Sequence, residues 1–65
     1  MIYTSTAHRI HREAMNAYDA MLAAKREVVS IDQNWQHGVS VFTFEDGSQL
    51  RVEGPTWAVV RTGTR

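Results

Sequence analysis

The chain contains no cysteine, which excludes disulfide bonds and thiolate metal sites and suits a reducing compartment. No apolar run approaches the ~20 residues that a membrane-spanning helix needs. The segment Met1–Ser5 lacks the basic start and apolar core of a secretory signal. We therefore expect a cytoplasmic protein with no membrane association.

The chain also lacks an excess of charge, with seven Lys and Arg against seven Asp and Glu. A protein that binds nucleic acid by neutralising phosphates needs a basic stripe, and an acidic mimic of DNA needs the opposite excess. Neither is indicated, so nucleic acid is not expected as a partner.

Only 65 residues are present, and a chain of that size buries about 60% of the surface that its unfolded form exposes. A core this small rarely contributes more than ~3–5 kcal/mol of net stability. Small folds add disulfides, metal ions or association, and this composition leaves association open. We expect a single domain over residues 1–65 that forms a homo-oligomer, most simply a dimer.

What the chain does contain is a strong hairpin signal. Asp46-Gly47 lies between alternating apolar residues, which is typical of a two-residue type I′ turn. This turn pairs Phe44 with Gln49, and paired side chains share a face of the sheet. One face then carries Val39, Val41, Thr43, Leu50 and Val52, and the other carries Ser40, Phe42, Phe44, Gln49, Arg51 and Glu53.

A second hairpin is predicted at Gly54-Pro55, because proline belongs in a turn or on an edge. With that dipeptide as the loop, Val52 pairs with Trp57 and Leu50 pairs with Val59. A longer loop would invert the last strand. The face with Phe42 and Phe44 then gains Ala58 and Val60, and the aliphatic face gains Trp57 and Val59.

Upstream, Ser5 or Thr6 is a candidate N-cap for one helix that continues to about Glu27 without Gly or Pro. Its apolar arc is broader than one thin sheet needs. About 22 helical residues span roughly 33 Å and a seven-residue strand roughly 23 Å. The helix would therefore extend about two turns beyond the sheet, and a neighbouring subunit could pack on that part. The arc comprises Ala7, Ile10, Ala14, Met15, Ala17, Tyr18, Met21, Leu22 and Ala24.

The segment Val28–Ile31 is rich in β-branched residues and directly follows the helix. It is either a first strand or the end of a helix that reaches Val29. The fold class expected is α+β, with one N-terminal amphipathic helix followed by an antiparallel meander of three or four strands in two layers. The helix is expected to cover Val41, Leu50, Val52, Trp57 and Val59.

Candidate chemistry is sparse. His8 and His11 lie one helical turn apart and, with His37, offer three nitrogens to a metal ion. Such spacing is weak evidence, and a half-buried His11 near Tyr18 is the simpler interpretation. The serines lack a glycine-flanked nucleophile elbow. We therefore expect no metal, no cofactor and no catalytic activity.

The candidate partner site is the second face of the first hairpin. An apolar strip with aromatic rings, a polar rim and arginine is typical of protein interfaces. Scattered surface hydrophobes are normal, however, and Trp35 or Ile2-Tyr3 is an alternative cover for the strip within the monomer. The predicted partner-binding residues are Phe42, Phe44, Arg51, Ala58 and Val60.

These features favour a non-catalytic protein–protein interaction module. In size and build the chain resembles small phage-encoded proteins that block host defence or host enzymes, anti-CRISPR proteins among them, which implies an inhibitor of a host protein. Two alternatives come from other classes. One is a single-stranded nucleic-acid module that stacks bases on Phe42 and Phe44 beside Arg51, and the other is a purely structural homo-oligomer.

Overall fold

The computed structural model describes residues 4–34 and 36–62, and within them two helices precede four strands. The strands pair antiparallel in chain order into one open sheet. The predicted α+β meander is confirmed in its four-stranded form. Neither described helix is long and apolar enough to cross a bilayer. The elements are α1 (Thr6–Glu13), α2 (Ala17–Glu27), β1 (Val28–Asn34), β2 (Val39–Phe44), β3 (Gln49–Glu53) and β4 (Thr56–Arg61).

The helical segment begins and ends where the sequence predicts, but it is broken in the middle. Ser5 caps α1, and α2 ends at Glu27, where β1 follows directly. Asn16 caps α2 by accepting the Asp19 N–H at 2.8 Å, while the Asp19 carboxylate accepts the Met15 N–H at 3.1 Å. Side chains of this kind compete with helical backbone bonds and favour caps. The long overhanging helix, and the subunit seat that depended on it, were therefore wrong predictions.

The N-terminus of α1 is capped by the turn between β2 and β3. The Thr6 N–H donates to Asp46 Oδ2 at 2.9 Å, and the Ala7 N–H donates to Ser48 Oγ at 3.1 Å. The next N–H of the helix donates to the Ser5 hydroxyl at 3.2 Å. The first helical donors, which have no partner inside a helix, are thus satisfied, and the turn holds α1 over one end of the sheet.

That turn differs from the predicted type I′ turn. The Phe44 N–H donates to the Ser48 carbonyl at 3.0 Å, and the Gly47 N–H donates to the Phe44 carbonyl at 2.9 Å, so residues 45–47 form the loop. Gly47 has a φ of +84°, whereas no non-glycine residue in the described ranges has a positive φ. A three-residue loop closed by a left-handed glycine is the next most common hairpin connection after the two-residue turns.

The longer loop shifts β2 by one residue against β3. Phe42 pairs with Leu50 rather than with Arg51, and Val41 pairs with Arg51 rather than with Val52. Because side chains alternate along a strand, this shift exchanges the two faces of β2. The second hairpin has its predicted register, with Val52 opposite Trp57 and Leu50 opposite Val59.

The core lies between the helices and one face of the sheet. Phe42 and Phe44 are buried there, at 0% and 2% exposure. β3 and β4 present their predicted side chains to the helices, but Val41 does not, because the register of β2 differs. The buried apolar residues are Ala7, Ile10, Ala17, Ala20, Ala24, Phe42, Phe44, Leu50 and Val52.

Candidate protein-binding surface

The partner site predicted from the sequence is split between the two faces of the sheet. Phe42 and Phe44 are buried beneath the helices, whereas Arg51, Ala58 and Val60 lie on the opposite face, which no described element covers. The prediction that these five residues form one exposed strip was therefore wrong, and its cause is the one-residue register error in β2. The alternative covers, Trp35 and Ile2-Tyr3, lie outside the described residues.

The uncovered face of the sheet is a shallow, mostly polar depression. A cavity of about 410 Å³ is lined by side chains from β1, β2, β3 and the β1–β2 turn. Arg51 donates to Glu53 at 2.7 Å across this face, and both side chains are exposed. Bases stack on exposed aromatic rings, and the two rings that the nucleic-acid alternative required are buried. The lining residues are Asp32, Asn34, His37, Val39, Val41, Arg51 and Glu53.

The three histidines considered as metal ligands lie in two places. His8 and His11 line a depression on α1 together with Arg12, whereas His37 lines the open-face cavity. His11 is exposed rather than half-buried, its ring centroid is 6.3 Å from that of Trp57, and its carbonyl accepts the indole N–H at 3.2 Å. Among residues 4–34 and 36–62, no cluster of three His, Cys, Asp or Glu side chains is placed to hold a metal ion.

The largest exposed apolar side chains of the helical layer lie on α2 and just before it. Met15, Tyr18 and Leu22 are 83%, 65% and 39% exposed, and we call them the α2 ridge. Tyr18 and Leu22 are four residues apart and therefore share one face of the helix. The fully buried residues of α2 are the alanines at 17, 20 and 24, and Met21 is half-buried against the core. The helix thus buries mainly methyl groups and exposes Tyr18 and Leu22.

The α2 ridge lies on the side of α2 that faces away from α1. Glu27 of α2 accepts a hydrogen bond from Arg9 of α1, and this bond raises the pKa of Arg9. Met21, by contrast, lines a cavity of about 350 Å³ with Gln33 of β1 and neighbouring residues. At about 100° per residue, Tyr18 and Leu22 follow Met21 around the helix in the direction away from Glu27. Tyr18 also lines a small cavity with Val52 and Gly54, so the ridge begins beside the turn between β3 and β4.

β1 is the most exposed strand. Every residue from Val29 to Asn34 is exposed, including Val29 at 64% and Ile31 at 42%. The helices pack mainly on β2, β3 and β4, and β1 is an edge of the sheet whose pairing within the described ranges is with β2. β1 therefore leaves Val29 and Ile31 exposed at one edge of the sheet.

The sequence contained the signal for the α2 ridge. All three residues belong to the predicted apolar arc, which is broader than one sheet needs, but the predicted register exposes Phe42 and Phe44 and so places the partner site on the hairpin. Comparison of the chain with protein-family models, with curated proteins and with solved structures found no match. The function must therefore be argued from these surfaces.

Proposed function

We propose that this protein is a non-catalytic interaction module that docks through the α2 ridge into an apolar groove of a partner protein. The observation that carries the proposal is the exposure of Met15, Tyr18 and Leu22 beside a helix face built of alanine. Exposed apolar clusters of this kind mark interaction sites. Helices that dock into grooves do so with residues spaced about one turn apart on a single face.

The geometry of α2 suits this type of docking. The Asn16 cap and the Asp19 carboxylate hold its first turn, and packing of its alanines on the sheet holds its other side. A helix held in this way loses little further backbone entropy on binding, so more of the contact energy appears as affinity. Tyr18 adds a large ring with a polar tip, which is a residue type enriched at binding hot spots.

We extend the proposal to inhibition of a host protein in the cytoplasm by a small phage-type protein. Size and build support the extension, since a chain of 65 residues with one apolar ridge can block a partner by occupying its groove. Blocking of this kind requires no catalytic group and no cofactor. Arg51, Ala58 and Val60 are exposed on the open face and lie outside this docking site.

The test is an affinity pull-down from the native host with three forms of the chain. We expect the variant Tyr18→Glu with Leu22→Glu to lose a specific partner by about tenfold or more, because two carboxylates would enter an apolar groove. The matched control is Val60→Glu, which places one carboxylate on an apolar residue of β4 that is similarly exposed, at 54%.

Two results would contradict the proposal. Equal recovery of every partner by the wild type and the ridge variant would exclude the ridge as the docking site. Loss of the partner in Val60→Glu with retention in the ridge variant would place the site on the open face. Glutamate at Phe42 or Phe44 is not a usable probe, because a buried charge there would unfold the chain.

A further inference from the structure

We propose that β1 is a dimerisation edge, at which two copies of this chain pair as antiparallel strands about a two-fold axis to form one eight-stranded sheet. This inference rests on the proposed function, since the dimer would determine how many copies of the α2 ridge a partner meets. β1 is the outermost strand, and its side chains from Val29 onward are exposed. An edge strand of this kind is a template for pairing with another chain.

The two edges of the sheet differ in their protection. β4 follows Pro55, ends at Arg61 and has α1 packed on it, with the Trp57 indole bonded to the α1 carbonyl of His11. Proline, basic residues, β-bulges and a covering helix are devices that prevent edge pairing. β1 contains no Lys, Arg or Pro, and its bulge against β2 lies at Val28–Ser30, so its pairing is regular from Ser30 to Asn34. β1 is therefore the edge open to a second copy.

The side chains of β1 complement their own copies. In an antiparallel pair centred on Ser30, Val29 lies opposite Ile31 of the second copy, and Ile31 lies opposite its Val29. These are the two exposed apolar residues of the strand, and cross-strand β-branched pairs stabilise a sheet. Pairing thus removes from water the apolar surface that the monomer leaves exposed at this edge.

The charges near β1 also complement each other. Lys25 and Arg26 precede the strand, and neither forms a salt bridge within the described part of the chain, whereas Glu27 is already paired with Arg9. Asp32 lies in the second half of the strand. Pairing centred on Ser30 sets Asp32 opposite Val28 of the second copy, and Val28 directly follows the last turn of α2, which carries that copy's Lys25 and Arg26. A pair centred on Asp32 would instead oppose two carboxylates.

The symmetry determines what the dimer presents. A two-fold axis perpendicular to the sheet leaves both helical layers on the same face. Because α2 leads directly into β1, each copy then brings its α2 to the same face of the joined sheet. The proposed docking surface is thereby present twice on that face.

The first experiment measures mass by sedimentation equilibrium over a range of concentrations. We expect the wild type to reach about 14.8 kDa, twice the 7.4 kDa of one chain. Ile31→Lys is expected to raise the dissociation constant by about a hundredfold, because it places a charge at the paired edge. Val60→Lys on β4 is the matched control and should dimerise as the wild type does. A wild type that remains 7.4 kDa throughout would refute the inference.

The second experiment does not depend on the folding of Ile31→Lys. The chain has no cysteine, so one introduced thiol can form only an intermolecular disulfide. Ser30→Cys should oxidise rapidly to a covalent dimer, because the Cα atoms of directly opposed residues are about 4.5–5.5 Å apart, within the Cα–Cα range that a disulfide bridges. Asp32→Cys, two residues from the axis, and Val60→Cys, on the other edge, should not. Preferential crosslinking of Val60→Cys would assign the dimer to β4 instead.

The two proposals fail separately. A monomer that captures a partner through Tyr18 and Leu22 removes the dimer and leaves the proposed function. If the chain dimerises through β1 but its partners bind equally well without Tyr18 and Leu22, the dimer stands and the proposed docking site is wrong.

Discussion

Asp46 and Ser48 each stabilise two parts of the structure. Asp46 Oδ1 accepts the Ser48 N–H at 3.0 Å, and Oδ2 of the same carboxylate accepts the Thr6 N–H at 2.9 Å. The Ser48 hydroxyl donates to Asp46 Oδ1 at 2.5 Å and accepts the Ala7 N–H at 3.1 Å. A carboxylate at a helix N-terminus is also favoured by the helix dipole. These two side chains therefore fix the conformation of the turn and the position of α1 together.

Replacement of Ser48 by alanine should lower the free energy of unfolding by about 1–3 kcal/mol, because it leaves the Ala7 N–H buried without an acceptor. The loss is a large share of the ~3–5 kcal/mol that a core of this size supplies. Urea denaturation followed by circular dichroism measures it. Thr4→Ala, at an exposed position outside the proposed interface, is the control and should change stability by less than about 0.5 kcal/mol. Equal midpoints for the two variants would show that the Ser48 bond contributes nothing.

At the scale of elements, the junction between α1 and α2 determines what the helical layer exposes. The break allows α1 to follow the β2–β3 turn while α2 packs on the sheet through Ala17, Ala20 and Ala24. Small residues at that contact let the helix approach closely and put Tyr18 and Leu22 outside. The ridge is thus a consequence of where α2 begins.

Asn16→Ala should destabilise the protein by about 0.5–2 kcal/mol, because the cap of α2 loses the side chain that accepts the Asp19 N–H. The same change should weaken partner capture through the ridge, since the first turn of α2 carries Tyr18. Lys25→Ala, an exposed position in the same helix, tests for a general effect of helix substitution. Unchanged stability and unchanged capture in Asn16→Ala would show that the α1–α2 break does not depend on this cap.

At the scale of the whole molecule, a small core and an open sheet edge favour association. The described helices pack mainly over β2, β3 and β4 and leave β1 exposed. A second copy placed at β1 would bury Val29 and Ile31, two of the large apolar residues that this chain exposes. Stability of such a protein depends on its concentration, since association stabilises only the folded state.

A tenfold rise in concentration should therefore raise the Tm of the wild type by about 5 °C, given the unfolding entropy expected for two chains of this length. Reversible thermal melts at several concentrations measure the shift. Ile31→Lys should melt at a temperature that does not depend on concentration wherever the concentration is below its raised dissociation constant. A wild-type Tm that is equally independent would remove the thermodynamic basis of the dimer.

Local patterns determined much of the architecture. Asp46-Gly47 and Gly54-Pro55 placed two reversals, Ser5 and Glu27 bounded the helical segment, and the β-branched run after Glu27 is a strand. The second hairpin also has its predicted pairing. Asn16, with an aspartate three residues later, carries the signature of an N-cap. It lies within a stretch of strong helix formers, on the polar face of the predicted helix, where such residues are also expected without a break.

Tertiary contacts decided the face on which Phe42 and Phe44 lie. Asp-Gly fits a two-residue or a three-residue loop, and the two differ by one residue of register and by an exchange of faces. The longer loop lets Asp46 and Ser48 reach the first N–H groups of α1, 40 and 41 residues away in the chain. It also buries both rings under alanines of the helices. The residues of the hairpin alone carry no information about where α1 packs. The sequence therefore located the turn, and the packing of α1 and α2 determined its register.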